Sequence, residues 1–361
     1  MQTCMTVSIA DLKYNAQTVK DYVKTDVIAV VKCNGYGMTI ENAVLAWYES
    51  GVRFFAVAEP HEALTIRQLG YHDVEILLMS PVSDSTTLEQ MLSNDVILTV
   101  TSAEKARFYV ENCNEYRNIK AHVKVDTGMG RFGVRYDDID ALAEIYSVDG
   151  IEYTGIFSHF AVSFEGKFDK TGIQLQKFLF AIDSLIEKGI DVGTRHIANS
   201  CAAIRFPETR LDAVRIGSAL VGRLMAKTPL ELKKVGVIKA RVVDIKTLKK
   251  GDTSGYAMIS KVKKDTKCAV VAIGFCDGYG MTRRNDNMRF IDLIRNIYHE
   301  LRDYKKTMKM YHNGKALNVV GRIGNQYTLV DITDRDVHEG DIVSADVNVL
   351  MVDSSIQRIA E

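Results

Sequence analysis

The sequence predicts an α/β protein, a (β/α)8 TIM-type barrel followed by a mostly β C-terminal domain. Three observations lead there. Across the first 225 residues, short apolar and β-branched runs alternate with stretches of helical periodicity, eight times over. Beyond residue 225 the alternation stops, and strand-like runs follow one another directly. A chain of 361 residues is also long enough for two domains, each with its own core. The expected division is 1–225 for the barrel and 226–361 for the β-rich domain.

The barrel strands are expected at 27–34, 54–59, 74–80, 97–100, 119–127, 153–160, 194–200 and 213–220. Between them, Asn42-Ala43-Val44-Leu45-Ala46-Trp47-Tyr48 and Ile173-Gln174-Leu175-Gln176-Lys177-Phe178-Leu179-Phe180-Ala181-Ile182 place apolar side chains at helical spacing. Ahead of the first strand, Ser8 stands as the cap of a helix opening with Ile9-Ala10-Asp11-Leu12. In the second domain the strand-like runs are 235–245, 268–275, 317–323, 327–332 and 341–351. One segment, 286–309, interrupts them as an inserted helix, because Phe290, Ile291, Leu293, Ile294, Ile297 and Leu301 fall at helical spacing.

Lys+Arg and Asp+Glu both number 46, so the net charge is zero, and nothing electrostatic points to nucleic acid or an anionic membrane as partner. The pairs Lys249-Lys250, Lys263-Lys264 and Lys305-Lys306 lie among acidic and polar residues and read as solvated faces. No apolar stretch in this chain has the length of a membrane span, and the N-terminus lacks the layout of a signal peptide. Cys4, Cys33, Cys113, Cys201, Cys268 and Cys276 are scattered without a CxxC, and the histidines form neither HExxH nor HxH. A reduced, cytoplasmic compartment and no dedicated metal site are the expectations.

Barrel enzymes draw their catalytic groups from the C-terminal ends of the strands, so the residues that close each run carry the chemistry. Lys32 closes Val27-Ile28-Ala29-Val30-Val31-Lys32, ahead of Cys33-Asn34-Gly35-Tyr36-Gly37, whose glycines allow backbone to approach a ligand. A lysine there is either a Schiff-base nucleophile or one half of an ion pair with a carboxylate in the barrel mouth. Lys124 and Asp126 close the fifth run, before Gly128-Met129-Gly130-Arg131; Ser158-His159 closes the sixth, Asn199-Ser200 the seventh and Arg215-Ile216-Gly217-Ser218 the eighth. Period-two alternation puts His122, Lys124 and Asp126 on one face, and likewise His196, Ala198 and Ser200. Ser200, Gly217 and Ser218 suit a phosphate, or are ordinary turn residues. Taken with Lys32, they suggest pyridoxal 5'-phosphate, which needs a lysine, phosphate donors and a partner for its ring nitrogen.

Ala29-Val30-Val31-Lys32-Cys33-Asn34-Gly35-Tyr36-Gly37, Lys124-Val125-Asp126-Thr127-Gly128-Met129-Gly130-Arg131-Phe132-Gly133, His196-Ile197-Ala198-Asn199-Ser200 and Ala272-Ile273-Gly274-Phe275-Cys276-Asp277-Gly278-Tyr279 resemble, in order, the motifs of the alanine racemase family. The resemblance implies a pyridoxal-phosphate barrel, a β domain to which the first few residues also contribute, and active sites completed across a homodimer. It implies that Lys32 holds the cofactor as an aldimine and acts as one base, while Tyr256, donated by the partner subunit, serves the opposite face. Bases on both faces of Cα invert it without moving the substrate. By the same resemblance Arg215 would bond the pyridine nitrogen, His159 would support the ring and the Arg215/Tyr256 network, and Tyr36, Asn199, Ser200, Gly217 and Ser218 would complete the cofactor site. Arg131 would bind the substrate carboxylate. Lys124 matches a lysine often carbamylated in the family; the alternative is an unmodified lysine paired with Asp126.

Three positions depart from the family pattern. After Gly321-Arg322 the chain has Ile323-Gly324-Asn325-Gln326 where Ser/Cys-Met-Asp is common, and Phe275 replaces a tyrosine. A tyrosine at the mouth of the family's substrate pocket is replaced within Asp346-Val347-Asn348-Val349-Leu350-Met351 by Asn348, or by Val349 if the register shifts by one. Asparagine opens space and offers amide donors and acceptors that suit a hydroxymethyl group, so serine joins alanine as an expected substrate; Asn325 could act similarly. These changes resemble the serine/alanine racemases of vancomycin-resistance gene clusters, in which a membrane-spanning part precedes the racemase domain and D-serine enters peptidoglycan precursors. This chain would then be the cytoplasmic catalytic portion of a membrane-anchored protein. The alternatives are an ordinary alanine racemase, an amino-acid decarboxylase of the same fold, and a non-enzymatic pyridoxal-phosphate carrier, which would lack the second domain.

Overall fold

The eight β-branched runs are strands in the computed structural model, which describes residues 3–113, 118–164, 167–258, 260–282, 290–303 and 307–361. They are Asp26–Val30 (β1), Phe54–Val57 (β2), Glu75–Leu78 (β3), Leu98–Val100 (β4), Ile119–Asp126 (β5), Ile151–Phe157 (β6), Thr194–His196 (β7) and Ala213–Ile216 (β8). Each runs parallel to its neighbour, from β8 beside β1 through to β6 beside β7, with a Leu77–Ile97 bridge linking β3 to the start of β4. The Arg215 N–H donates to the Ala198 carbonyl at 2.9 Å and the Asp212 N–H to the Arg195 carbonyl at 3.2 Å, which closes the barrel between β7 and β8.

Every barrel strand except β4 stops short of its expected end, and at β1 and β7 the reason is local. β1 ends at Val30 because Cys33, Asn34, Gly35, Tyr36 and Gly37 have φ of 56°, 52°, 63°, 56° and 84°, a left-handed turn that no strand can contain. β7 ends at His196 because Asn199 caps the helix Ser200–Arg205, its Oδ1 accepting the Ala202 N–H at 3.1 Å. Ser200 therefore does not share a strand face with His196, contrary to the alternation. The helices expected from periodicity form as Ile40–Glu49 and Asp169–Glu187. Ser8 caps Ile9–Val23, its Oγ accepting the Asp11 N–H at 3.1 Å.

The barrel interior is asymmetric. Ile28, Val30, Ala56, Leu77, Ile97 and Ala213 form an apolar cluster against which Tyr36, Phe54 and Met79 pack. On β5, β7 and β8 the interior instead carries His122, Lys124, His196 and Arg215, all buried. Buried polar groups of this kind cost several kcal/mol unless partnered, so their bonding decides the site.

The barrel unit is Ser8–Val235, and the second unit joins Met1–Val7 to Gly236–Glu361. Its axis is the strand Val237–Leu248, whose register shifts between Val242 and Asp244. One half pairs with Ile342–Ala345 and the other with Thr266–Val271, so a single strand serves two neighbours. Thr3–Val7 lies antiparallel to the axis and parallel to Arg358–Ala360. Lys309–His312, Lys315–Asn318 and Thr328–Asp331 complete the sheet. The expected strands 268–275 and 341–351 are shorter, since Phe275–Asp277 and Val349–Met351 are 3-10 turns.

The insertion contains the helix Phe290–Asp303, with Phe290, Leu293, Ile294, Ile297 and Leu301 exposed along it. Residues 286–289 and 304–306, the Lys305-Lys306 pair among them, lie outside the described residues, and Lys309 belongs to the next strand. Among the described residues, no helix is long and apolar enough to cross a membrane.

Candidate active site

Lys32 stands at the C-terminal end of β1, where the Val31 N–H donates to the Ala56 carbonyl at 2.9 Å. The left-handed turn that follows costs about 1–2 kcal/mol for each L-residue in it, least for asparagine. Local bonds offset this. The Gly35 N–H reaches the Val31 carbonyl at 2.8 Å, the Gly37 N–H reaches the Cys33 carbonyl at 3.0 Å, and Asn34 Oδ1 accepts the Ile40 N–H at 2.9 Å. The buried Glu62 carboxylate accepts the Asn34 N–H at 3.4 Å and the Ala58 and Glu59 N–H groups at 2.9 and 3.1 Å. Lys32 is half-buried, its Nζ 6.0 Å from the Tyr36 ring centroid. No carboxylate pairs with it among the described residues, so the ion-pair alternative finds no partner.

Beyond β7 and β8, Ser200 Oγ accepts the Gly217 N–H at 3.0 Å and the Ala219 N–H at 3.4 Å. A Cβ on Gly217 would lie 2.2 Å from Tyr36 Oη, so only glycine lets that hydroxyl meet the backbone. Burial pushes the Tyr36 pKa up, and its neighbours Cys33 and Glu62 add to this, so the hydroxyl remains a donor. Ser218 is half-buried beside them. Asn199 spends its carbonyl oxygen on the Ala202 N–H and on the Ser163 hydroxyl, at 2.8 Å, and thereby fixes where Ser200 sits.

Arg215 organises the polar side of the barrel. Its Nη1 donates to His196 Nδ1 at 2.6 Å and to the His196 carbonyl at 3.0 Å. Its Nη2 reaches the Ser158 carbonyl at 2.5 Å, the Ile197 carbonyl at 3.3 Å and His159 Nδ1 at 3.3 Å. Beyond His196 lies His122, with Nδ1 2.8 Å from His196 Nε2. Burial, and after it the charge of Arg131, lowers the Arg215 pKa to about 9, which leaves it a cation at neutral pH. Burial and then Arg215 hold His159 and His196 well below the usual imidazole value and His122 at about 3, so all three are neutral.

Lys124 is 4% exposed, with Nζ 4.7 Å from the Phe157 ring centroid and 3.5 Å from the Val125 carbonyl. Burial, then Arg215 and Arg131, lower its pKa well below the usual amine range, against the opposing pull of Asp126. It forms no ion pair with Asp126 among the described residues. That carboxylate is occupied by the Gly128, Met129 and Gly130 N–H groups at 2.9, 2.9 and 3.1 Å, which shape the turn bearing the exposed Arg131. Burial works to raise the Asp126 pKa, but these three donors bring it below the ordinary value.

The remaining candidates lie in the β unit. Tyr256 rides the 3-10 turn Tyr256–Met258 between the paired strands Thr253–Ser254 and Ser260–Lys261; it is 66% exposed, and its hydroxyl has no partner among the described residues. The Phe275 N–H donates to the Gly324 carbonyl at 3.0 Å and the Cys276 N–H to the Asn325 carbonyl at 2.9 Å. On its other side this turn abuts the Asn348 segment, since a Cβ on Gly278 would lie 2.4 Å from the Met351 carbonyl. Asn348 is exposed, its Oδ1 accepts the Leu350 N–H at 3.3 Å, and it borders a cavity of about 360 Å³ with Gly280, Met281, Thr282 and Met308. Val349 is buried. The three departures from the family pattern thus converge on one edge of this unit.

A lysine without a carboxylate, a tyrosine hydroxyl and Ser200 around a side-chain-free Gly217, and a buried cation with only neutral partners fit pyridoxal phosphate. The model of the alanine racemase N-terminal domain matches residues 7–224, and that of the alanine racemase C-terminal domain matches residues 235–359. The chain belongs to the alanine racemase family. An alanine racemase from Clostridium tetani is 33% identical over 346 residues, covering 93% of this chain and 84% of the relative. Among solved structures, an alanine racemase from Clostridium difficile 630 superposes with a TM-score of 0.84 at 24% identity, covering 100% of this chain and 96% of the other. A histidine racemase from Leuconostoc mesenteroides superposes with a TM-score of 0.83 at 22% identity, covering 100% and 98%. Membership makes this chain a pyridoxal-phosphate-dependent amino-acid racemase, an isomerase. It sets aside the decarboxylase and carrier readings, since both domain models match.

Of the residues expected from the sequence, the barrel brings Lys32, Tyr36, Lys124, His159, Ser200 and Arg215 to one end of its strands. Those expectations assign no role to His122, His196 or Glu62. The signal for the first two was available in the alternation, since histidines pointing inward on buried strands require a partner.

Proposed function

We propose that this protein racemises serine as well as alanine, as a homodimer in which Tyr256 of each subunit serves the other's barrel. The observation that carries the substrate reading is that the Phe275 turn bonds to the Gly324-Asn325 backbone on one side and abuts the Asn348–Met351 segment on the other, with Asn348 supplying an exposed amide to a cavity. An amide can donate to and accept from a serine hydroxyl, which a methyl side chain cannot use. The resulting D-amino acids would supply peptidoglycan precursors, as in vancomycin resistance.

When bound, pyridoxal phosphate withdraws electron density from the substrate Cα and so acidifies its proton. Lys32 takes or returns that proton on one face and Tyr256 on the other. Tyr36, Ser200, Gly217 and Ser218 would hold the phosphate, with Asn199 fixing Ser200. Arg215 would face the ring nitrogen as a donor that keeps its proton, which would temper the electron withdrawal the group supplies. Arg131 binds the substrate carboxylate, and His159 steadies Arg215. Lys124 is carbamylated: its neutral amine forms an N–C bond to carbon dioxide and loses a proton, placing an anion near two arginines.

A second reading, an enzyme confined to alanine, is favoured by the names of the curated relatives. A chiral assay of L-serine and L-alanine on wild type and Asn348→Tyr separates the two. Selective loss of serine turnover supports the pocket argument; an unchanged preference refutes it.

A further inference from the structure

The pair His122–His196 is buried inside the barrel beside Arg215, and the chemistry of arginine dictates its protons. A guanidinium only donates, so His196 Nδ1, 2.6 Å from Arg215 Nη1, must present a lone pair. The proton of neutral His196 therefore sits on Nε2 and is donated to His122 Nδ1 at 2.8 Å. His122 in turn carries its proton on Nε2.

The surroundings hold this arrangement in place. The Phe157 ring stacks on His196 with centroids 5.2 Å apart and planes 3° from parallel, and the Phe54 ring meets His122 edge-on at 5.9 Å. Gly155 leaves room for the His122 ring, since a Cβ there would lie 2.6 Å from it. Every partner of Arg215 among the described residues is neutral, so no carboxylate anchors the guanidinium.

We propose that His122 is a positioning residue of the racemase site, locking His196 in its Nε2–H tautomer and thereby holding the Arg215 guanidinium in one orientation. The proposal rests on the racemase reading. Without the acceptor on His122, the His196 ring can exchange tautomers or rotate, and an N–H turned toward Arg215 pushes the guanidinium away.

The test uses the cofactor-loaded protein, with 15N-histidine spectra reporting the tautomer of His196 and steady-state kinetics reporting turnover. His122→Phe keeps a ring but removes the acceptor, and His122→Gln keeps a carbonyl acceptor. In His122→Phe the His196 tautomer becomes mixed, the cofactor absorbance shifts, and kcat falls about tenfold with KM little changed. His122→Gln retains the Nε2–H tautomer and recovers most of kcat. Unchanged tautomer and kcat in His122→Phe overturn the proposal, as does a His122→Gln variant with a mixed His196 tautomer. The second criterion decides even if His122→Phe does not fold. Wild-type protein that racemises no amino acid would sink the racemase reading instead, while the tautomer spectra still test the histidine chain.

Discussion

In the barrel, Arg215 is buried with five neutral acceptor atoms on four residues, and each histidine beside it has its proton assigned by a neighbour. At the edge of the β unit, Asn348 is exposed and its side chain is fixed by one backbone N–H. A change in the first region disturbs every member of a connected network. In the second it alters the lining of a cavity and little else. On the reading proposed above, the arginine–histidine network that supports the chemistry is over-determined by its neighbours, while the residue proposed to set substrate choice can change freely.

That contrast can be broken by experiment, beginning with the largest effect. Lys32→Ala should lower turnover on the order of 10,000-fold, and Tyr256→Phe should block racemisation while the cofactor absorbance persists. Wild-type-like turnover in the tyrosine variant would remove Tyr256 from the mechanism. Gly217→Ala comes next, because its Cβ would lie 2.2 Å from Tyr36 Oη. Overpacking of this kind costs about 1–3 kcal/mol, so a pyridoxal-phosphate titration should give roughly tenfold to hundredfold weaker binding.

The buried histidines predict the pH response. His122 stays neutral in the fold down to about pH 3, and His159 and His196 also titrate well below the ordinary value. In the unfolded chain each takes up a proton as pH falls through about 6.5. The unfolded state then binds more protons than the folded one, so stability falls with acid, by about 1.4 kcal/mol per pH unit for each histidine. Urea midpoints at pH 7.5 and 5.5 measure this, and equal midpoints would contradict neutral burial. The smallest effect belongs to the edge: Asn348→Tyr should shift the serine-to-alanine ratio about tenfold and leave the urea midpoint unchanged.

How much of this was legible in the sequence follows from the same contrast. The barrel strands and the helix at Asp169–Glu187 were readable because burial demands a regular apolar period. The motif residues Lys32, Lys124 and Arg215 were readable because they close those strands. The turn at Cys33 to Gly37 was not, since only glycines announce positive φ, while Cys33 and Tyr36 give no such sign. The end of β7 was misjudged because Asn199 serves equally as a strand residue or a cap until its partner Ala202 is known. The alternation shows that His122 and His196 each need an inward partner, but their contact joins residues far apart in sequence, so no local pattern pairs them with each other.

The strand Thr3–Val7 ties the opening of the chain to its last residues, pairing with Val237–Leu248 on one side and Arg358–Ala360 on the other. The barrel is thus spliced into the β unit, and the backbone crosses between the units twice. During synthesis the first strand must wait for the final one before its sheet can be finished, which makes that sheet slow to assemble. A fragment starting at Gly236 would lack an interior strand and display two raw edges, an invitation to aggregate. A circular permutant that joins Glu361 to Met1 through a linker long enough to cross between parallel strands, and opens the chain elsewhere, would bring those strands together early and should refold faster than the natural order.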